Sequence, residues 1–242
     1  MVSKVMVGDF ETTVYKGQTR TDVWASACVE LGTEDVHIFH SIEEQFDYYV
    51  SLNCNIICYF HNLKFDGSFW MSFLLLVKKF KQAYTQENED INSIRWMNQR
   101  EMPNNSFLYS VSSMGLWYKF TIKVNGHTIE LRDSLKLLPF SLRSIGKAFK
   151  TKHQKLDMEY TGFRYPGCEI TDEEKEYIRN DVLVIKEALE IMFSEGHKQL
   201  TIGSCCLAEY RRIIGVKTYQ NLFPNLFEIE IDKEQYGVEN AG

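Results

Sequence analysis

The sequence predicts a mixed α/β protein, a sheet flanked by helices, and three observations carry that reading. Segments rich in β-formers alternate with segments of helical periodicity through the first 80 residues. Two capping-box patterns, Ser41 with Glu44 and Thr171 with Glu174, mark helix starts. Asn125-Gly126 separates two β-rich runs, and that dipeptide supplies the left-handed residues a tight hairpin needs.

Taken in order, Lys4–Glu11 alternates as a first strand until Thr12-Thr-Val-Tyr-Lys-Gly17 breaks the pattern. Asp22–Leu31 and Asp35–Phe39 give the next two strands. Ser41 opens a helix to about Leu52, Asn55–Phe60 is a short buried strand, and a helix follows directly over Leu63–Phe80. Residues 82–105 are polar and weakly periodic, which predicts a mobile insertion. Trp117–Val124 and His127–Arg132 flank the hairpin turn, and a short helix over Phe140–Phe149 follows Pro139. From Thr171 a long helix carries Ile178, Val182, Ile185, Leu189 and Met192 at helical spacing until Gly196 stops it. A last helix near Leu200–Ile214 leads into an acidic tail with no packing partner for its own hydrophobes. The expected division is a main domain over 1–196 and a helical connection with its tail over 197–242.

Composition bounds the function. With 242 residues, 44% hydrophobic and 25% charged, the chain can bury a core, which excludes intrinsic disorder. The longest apolar stretch, Phe69–Val77, is far short of the roughly 20 residues of a membrane span, and no apolar secretory core follows Met1. Six cysteines without a C-x-x-C pair fit neither a zinc nor a disulfide framework. A soluble, unexported protein with reduced thiols is expected, with Cys205-Cys206 as small buried hydrophobes. A net charge of −6 shows no broad footprint for duplex nucleic acid, but a site that holds divalent cations must itself be rich in carboxylates.

Three segments supply such carboxylates. Asp9-Phe-Glu11 puts two acids on one face of a strand while Phe10 points to the other; a solvent-facing edge is the plainer alternative. Asn62 and Asp66 share one helical face at a strand-to-helix junction, where, taken alone, an N-capping Asn followed by a first-turn Asp is the favoured explanation. Tyr177 and Asp181 stand one turn apart beside the apolar stripe of the long helix, and an acid bordering a buried face needs a partner. Together, four carboxylates from three elements suit hard cations such as Mg²⁺ or Mn²⁺, two of which about 4 Å apart can clamp the oxygens of a phosphodiester.

Asp9-Phe-Glu-Thr-Thr13, Tyr59-Phe-His-Asn-Leu-Lys-Phe-Asp-Gly67 and Tyr177-Ile-Arg-Asn-Asp181 resemble the three exonuclease motifs of family B DNA polymerases. The middle motif is most similar to the protein-primed polymerases of small phages. Arg132-Asp-Ser-Leu-Lys-Leu-Leu-Pro-Phe140 and Gln154-Lys-Leu-Asp-Met-Glu-Tyr160 resemble further segments of that subgroup, so the resemblance covers about residues 5–225. It implies an RNase H-like, DEDD-type 3′–5′ exonuclease domain that proofreads with two divalent ions, Mg²⁺ or Mn²⁺. Asp9, Glu11, Asp66 and Asp181 match the metal-binding carboxylates, and Tyr177 matches the tyrosine that orients the attacking water. Lys155 matches a lysine assisting near the scissile phosphate. Thr12, Asn62, Phe65, Ser134, Leu135 and Tyr160 match contacts to a single-stranded DNA 3′ end. Tyr59, His61 and Phe69 match further strand contacts, Phe69 also lying toward the priming protein.

The chemistry of the residues agrees in part. Phe65 and Tyr160 can stack on bases without reading sequence, and Lys155 offers a point charge to a phosphate, although an isolated Phe65 or Phe69 is more often core and a lysine more often solvated. The run Lys147, Lys150, Lys152, Lys155 reads as a strand-binding rim or an exposed face. His61 has no second His beside it and is not expected to bind metal. The resemblance also implies a terminal (priming) protein and a polymerase domain, in cis or trans, as partners, no membrane, and the host cytoplasm as the place of a phage protein. The Tyr-x-Asp-Thr-Asp segment of polymerase acids is absent and Tyr236-Gly-Val-Glu239 does not fit a Tyr-x-Gly-Gly segment, so DNA synthesis is not expected of these residues. The competing readings are an RNA-directed nuclease of the same fold and a non-catalytic docking or regulatory module; the five intact residues Asp9, Glu11, Asp66, Asp181 and Tyr177 weigh against the second.

Overall fold

A computed structural model describes residues 3–86, 93–158 and 163–224; Tyr160 and the acidic tail lie outside them. The chain divides into two units, 1–200 and 201–242. The first is built on an eight-stranded mixed sheet, with β1 (Ser3–Thr12), β2 (Val23–Glu30), β3 (Val36–Phe39), β4 (Asn55–Phe60), β5 (Lys81–Gln82), β8 (Ser106–Val111), β9 (Trp117–Val124) and β10 (His127–Asp133) in the order β3-β2-β1-β4-β10-β9-β8-β5. β4 runs parallel to both β1 and β10, while β2 and β9 are antiparallel to their neighbours. The helices are α1 (Ile42–Ser51), α2 (Leu63–Ser72), α3 (Leu142–Phe149) and α4 (Asp172–Ser194).

Alternation along the middle strands sets what faces what. Met6 and Phe10 of β1 join Ile56, Cys58 and Phe60 of β4 in a core closed by Phe46, Trp70 and Phe73. The rings interlock, with Phe10 edge-on to Phe60 at 5.2 Å and Tyr49 stacked on Trp70 at 6.2 Å. The other face of β1 presents Val7, Asp9 and Glu11 toward α4, whose Val182 and Ile185 line the same cleft as Val7.

Local chemistry explains the element ends. Thr171 and Glu174 form a complete capping box at α4, Glu174 N–H donating to Thr171 Oγ1 at 3.3 Å and Thr171 N–H to Glu174 Oε2 at 2.9 Å. Ser41 likewise accepts from Glu44 N–H at 3.2 Å, but the Glu44 carboxylate takes the amide of His40 instead, so only half of that box closes. Asn125 and Gly126 turn the β9–β10 hairpin at φ 48° and 78°.

Several expectations are corrected. The helix from Leu63 stops being α-helical at Ser72 and continues as a π-helical turn over Phe73–Val77, with Lys78 N–H reaching Phe73 O at 3.1 Å. Lys79, at φ 56°, ends it before Phe80. The polar stretch after residue 82 is not structureless where it is described: β6 (Tyr84–Gln86) and β7 (Ile94–Trp96) form a separate two-stranded sheet, while residues 87–92 lie outside the described residues. Strand β8, unforeseen in the sequence, buries Phe107 against Phe120. In the second unit, α5 (Ile202–Ile214) and α6 (Val216–Leu222) are separated at Gly215, and Tyr210 packs edge-on against Phe223 at 6.3 Å. Cys205 is buried and Cys206 exposed, so only one of that pair is a core residue. Among the described residues no helix is long and apolar enough to cross a membrane.

Gly8 is where the two faces of β1 meet the tightest packing. A Cβ there would stand 2.7 Å from Phe60 Cζ and 3.1 Å from Cys58 Sγ. Gly8→Ala is expected to destabilise the protein by about 1–3 kcal/mol through overpacking, read as a lower urea midpoint with an unchanged slope; an unchanged midpoint would mean that Phe60 yields freely.

Candidate active site

β1 carries Asp9 and Glu11 out of one face, and α4 lays Asp181 and Tyr177, one turn apart, against that face. One carboxylate oxygen each from Asp9, Glu11 and Asp181 lies within 4.8 Å of the others. Asp66, buried in the first turn of α2, stands outside that trio, yet its charge acts on Asp9 and it feels Glu11 in turn. The four predicted carboxylates thus occupy one neighbourhood, three of them in close array.

Crowding shows in the electrostatics. Burial, and after it the charges of Asp66, Glu11 and Asp181, hold the Asp9 carboxyl well above the usual carboxylate range, with Lys155 pulling the other way. Asp66 is held well above its range by burial, against a bond from its own backbone N–H, and is pushed further by Asp133 and Glu11. Asp181 is raised by burial and restrained by Lys155. The ammonium of Lys155 donates to both Asp181 Oδ2 and the Tyr177 hydroxyl and lies over the Tyr177 ring, 3.9 Å from its centroid. Burial works against the Lys155 charge, but Asp181 and Tyr177 keep its pKa above the ordinary value.

Asp181 Oδ1 is buried without a hydrogen-bond partner among the described residues. A bare carboxylate oxygen, all-oxygen donors and like charge only partly relieved by Lys155 fit a hard divalent cation, so Asp9, Glu11 and Asp181, with Asp66 beside them, are suited to hold one. The cleft beside them encloses about 480 Å³ and is lined by Asp9, Asp181, Lys155, His61, Ser141 and Arg143. Ser141 and Arg143, from the start of α3, carried no sequence signal; Arg143 pairs with Asp157.

The residues expected to touch a strand separate into two groups. Phe65 is 45% exposed and supported edge-on by half-buried Phe69 at 5.2 Å. Asn62 is exposed, and Thr12 and Leu135 are half-buried. Tyr59 departs from expectation: β4 turns it into the interior against Phe193, where its hydroxyl accepts from Arg132 at 3.1 Å, so its ring offers no surface to a strand. Ser134 is also fully buried, its hydroxyl donating to Phe60 O at 3.1 Å and its oxygen lying 3.0 Å from His61 Nδ1. His61 lines the cleft but engages both ring nitrogens, Nε2 with Phe140 O at 2.8 Å, and burial pushes its pKa down. It works as a latch between loops. Of the lysine run, Lys155 alone enters the cleft; Lys147 and Lys150 are exposed and Lys152 pairs with Glu34.

One residue was missed. Asp133, in the segment already singled out around Ser134, is buried, and its Oδ1 accepts from the amides of Asn62, Leu63 and Leu135. Its neighbours in sequence carried the attention because an aspartate before a turn signals only a local cap.

The fold is thus a mixed α/β one, an eight-stranded sheet flanked by helices with an acidic cleft beside β1. Residues 49–166 match the family of type B DNA polymerases, organellar and viral. The DNA polymerase of Bacillus phage B103 is 35% identical over 241 residues, covering 97% of this chain and 38% of that protein. That of Bacillus phage phi29 is 34% identical with the same coverage. The structure of phi29 DNA polymerase complexed with single-stranded DNA superposes with a TM-score of 0.74 at 30% identity, over 90% of this chain and 36% of that one. The chain is therefore homologous to the N-terminal part of the protein-primed, type B phage DNA polymerases, and its sheet is RNase H-like. It spans about 38% of the length of these curated relatives.

Because Asp9 and Asp66 are raised, the folded protein holds more protons than the unfolded chain once the pH climbs above the ordinary carboxylate range, and its stability falls as those protons leave. Thermal melts in EDTA at about pH 5 and about pH 7.5 should show this loss in the wild type and a smaller one in Asp9→Asn. At the higher pH the variant should melt about 2–4 °C above the wild type; a lower melting point would show that Asp9 is stabilised rather than crowded.

Proposed function

We propose that this chain is a metal-dependent 3′–5′ exonuclease acting on single-stranded DNA ends, the proofreading portion of a protein-primed DNA polymerase. The observation that carries this reading is the convergence of Asp9, Glu11 and Asp181, with Asp66 beside them and a buried bare oxygen on Asp181. Divalent ions held there would lower the proton affinity of water and neutralise the charge that develops on the phosphodiester oxygens. Water attacks the terminal phosphorus, the bond to the 3′ oxygen breaks, that oxygen takes up a proton, and a nucleoside 5′-monophosphate leaves. Tyr177 orients the water through its hydroxyl. Lys155, already bonded to Tyr177 and Asp181, fixes that hydroxyl and offers its charge to the phosphate.

The strand is gripped rather than read. Exposed Phe65, backed edge-on by Phe69, offers its ring to a base, and exposed Asn62 with half-buried Thr12 and Leu135 would add contacts to the strand. Tyr160 is assigned to this grip by its resemblance alone. The relative whose fold this chain shares was captured with single-stranded DNA, which favours DNA over RNA as the substrate. A polymerase portion, in cis or trans, and a terminal protein are the partners on this reading, with the host cytoplasm as the setting.

The test is degradation of 5′-labelled and 3′-labelled oligodeoxynucleotides with Mg²⁺, Mn²⁺ or EDTA, with RNA as competitor. Stepwise shortening from the 3′ end that EDTA stops is expected; no shortening in either metal overturns the reading. Asp9→Ala, Glu11→Ala, Asp66→Ala and Asp181→Ala should each lower turnover by about 10³-fold with the fold intact. Tyr177→Phe removes only a hydroxyl and should cost about 10- to 100-fold in single-turnover rate; an unchanged rate would make Tyr177 a packing residue.

A further inference from the structure

A buried carboxylate that the proposed chemistry does not use stands at the end of β10. Asp133 is 3% exposed and lies opposite Phe60 in the parallel ladder, beside the point where β4 gives way to α2. Its Oδ1 accepts three backbone N–H groups, from Asn62 at 3.2 Å, Leu63 at 3.3 Å and Leu135 at 3.1 Å, while Oδ2 faces the Lys136 ammonium at 3.5 Å.

A helix begins with amides that have no partner within it, and the side chain of its own N-cap residue ordinarily satisfies one of them. Asn62 occupies that position in α2 and is of the right type. Yet it is left-handed, at φ 83°, and its side chain makes no capping bond. Asp133, 71 residues further along the chain, instead takes the amides of Asn62 itself and of Leu63, the first residue of α2. Two things follow for the site. The turn that carries Asp66 is pinned to the end of β10, so the direction of Asp66 is set by the sheet and not by the loop before it. Asn62 is held by its backbone amide, and its side chain, which makes no capping bond, is exposed. The same oxygen also holds the amide of Leu135.

We propose that Asp133 is a positioning residue: by holding the amides of Asn62 and Leu63 it fixes the start of α2, keeping Asp66 toward Asp9 and the Asn62 side chain toward the strand. The kinetic part of the proposal rests on the exonuclease reading. Steady-state degradation of a 3′-labelled strand with Mn²⁺ should show Asp133→Ala about 10- to 100-fold lower in kcat, the loss expected of a misplaced ligand, with a raised KM. Asp133→Asn keeps the accepting oxygen and should recover most of both. In the Asn62→Ala background Asp133→Ala should add little to KM, since both act through one contact. Kinetic constants of Asp133→Ala within twofold of wild type, additive effects on KM, or an Asp133→Asn variant as impaired as Asp133→Ala would each overturn the proposal.

Two measurements stand apart from activity. The amides of Asn62 and Leu63 in the wild-type protein should exchange slowly, and rapid exchange overturns the proposal even if Asp133→Ala does not fold. Should the wild type prove inactive on every strand, the exonuclease reading fails by itself. Calorimetric titration with Mn²⁺ then decides the positioning role: weaker binding by Asp133→Ala supports it and equal binding overturns it.

Discussion

Like charge brought together out of water is the constraint on which the rest of this structure turns. Carboxylate oxygens of Asp9, Glu11 and Asp181 lie within 4.8 Å of one another, and two full charges at such a distance repel by about 3–4 kcal/mol at an effective dielectric of ~20. No interaction among the acids recovers that energy. The hydrophobic anchoring of the elements that carry them must exceed it. β1 is held on both edges by β2 and β4, and Met6 and Phe10 sink into the aromatic core. α4 brings Asp181 in on a helix whose Ile178, Val182, Ile185 and Leu189 are all buried.

Within that frame, Lys155 balances part of the charge without consuming the site. Its ammonium is shared between Asp181 Oδ2 and the Tyr177 hydroxyl, so Asp181 is raised less than Asp9. The other oxygen of Asp181 stays bare. One carboxylate can thereby keep its lysine and still offer a donor to a cation. This arrangement also explains why Tyr177 and Asp181 need to be one helical turn apart: a single ammonium can reach both only from the same stripe of α4.

What the sequence disclosed and what it hid divide by range. Features written in neighbouring residues were legible: the alternation that sends Asp9 and Glu11 to one face, the capping box at Thr171, the Asn125-Gly126 turn, and the i,i+4 placement of Tyr177 with Asp181. Features that depend on a distant partner were not. Tyr59 sits in a motif suited to strand contact, but only the packing of Phe193 shows that its ring is spent inside. The π-helical turn at Phe73–Val77 is invisible to an apolar pattern that reads as helix throughout. Asn62 looked like a cap because its position and type are those of a cap; only the fold shows its left-handed backbone, its amide held by distant Asp133 and its side chain making no capping bond.

The same strand serves stability and chemistry because its two-residue period keeps them on opposite faces. On one side Met6 and Phe10 bury large surfaces, and Gly8 lies between them because Phe60 and Cys58 fill the space a side chain would need. On the other, Val7 packs toward Val182 and Ile185, and the acids begin only at Asp9, where α4 presents Asp181 and Tyr177 instead of apolar side chains. Apolar side chains of α4 thus share the cleft with Val7, and its acid joins those of β1. Slipping either element by one position would turn Asp9 and Glu11 into the core or set Asp181 against Val7, with carboxylates left in apolar surroundings. The burial cost of that error is what keeps the register, so the acids that crowd the site also help to define the one pairing in which they are tolerated.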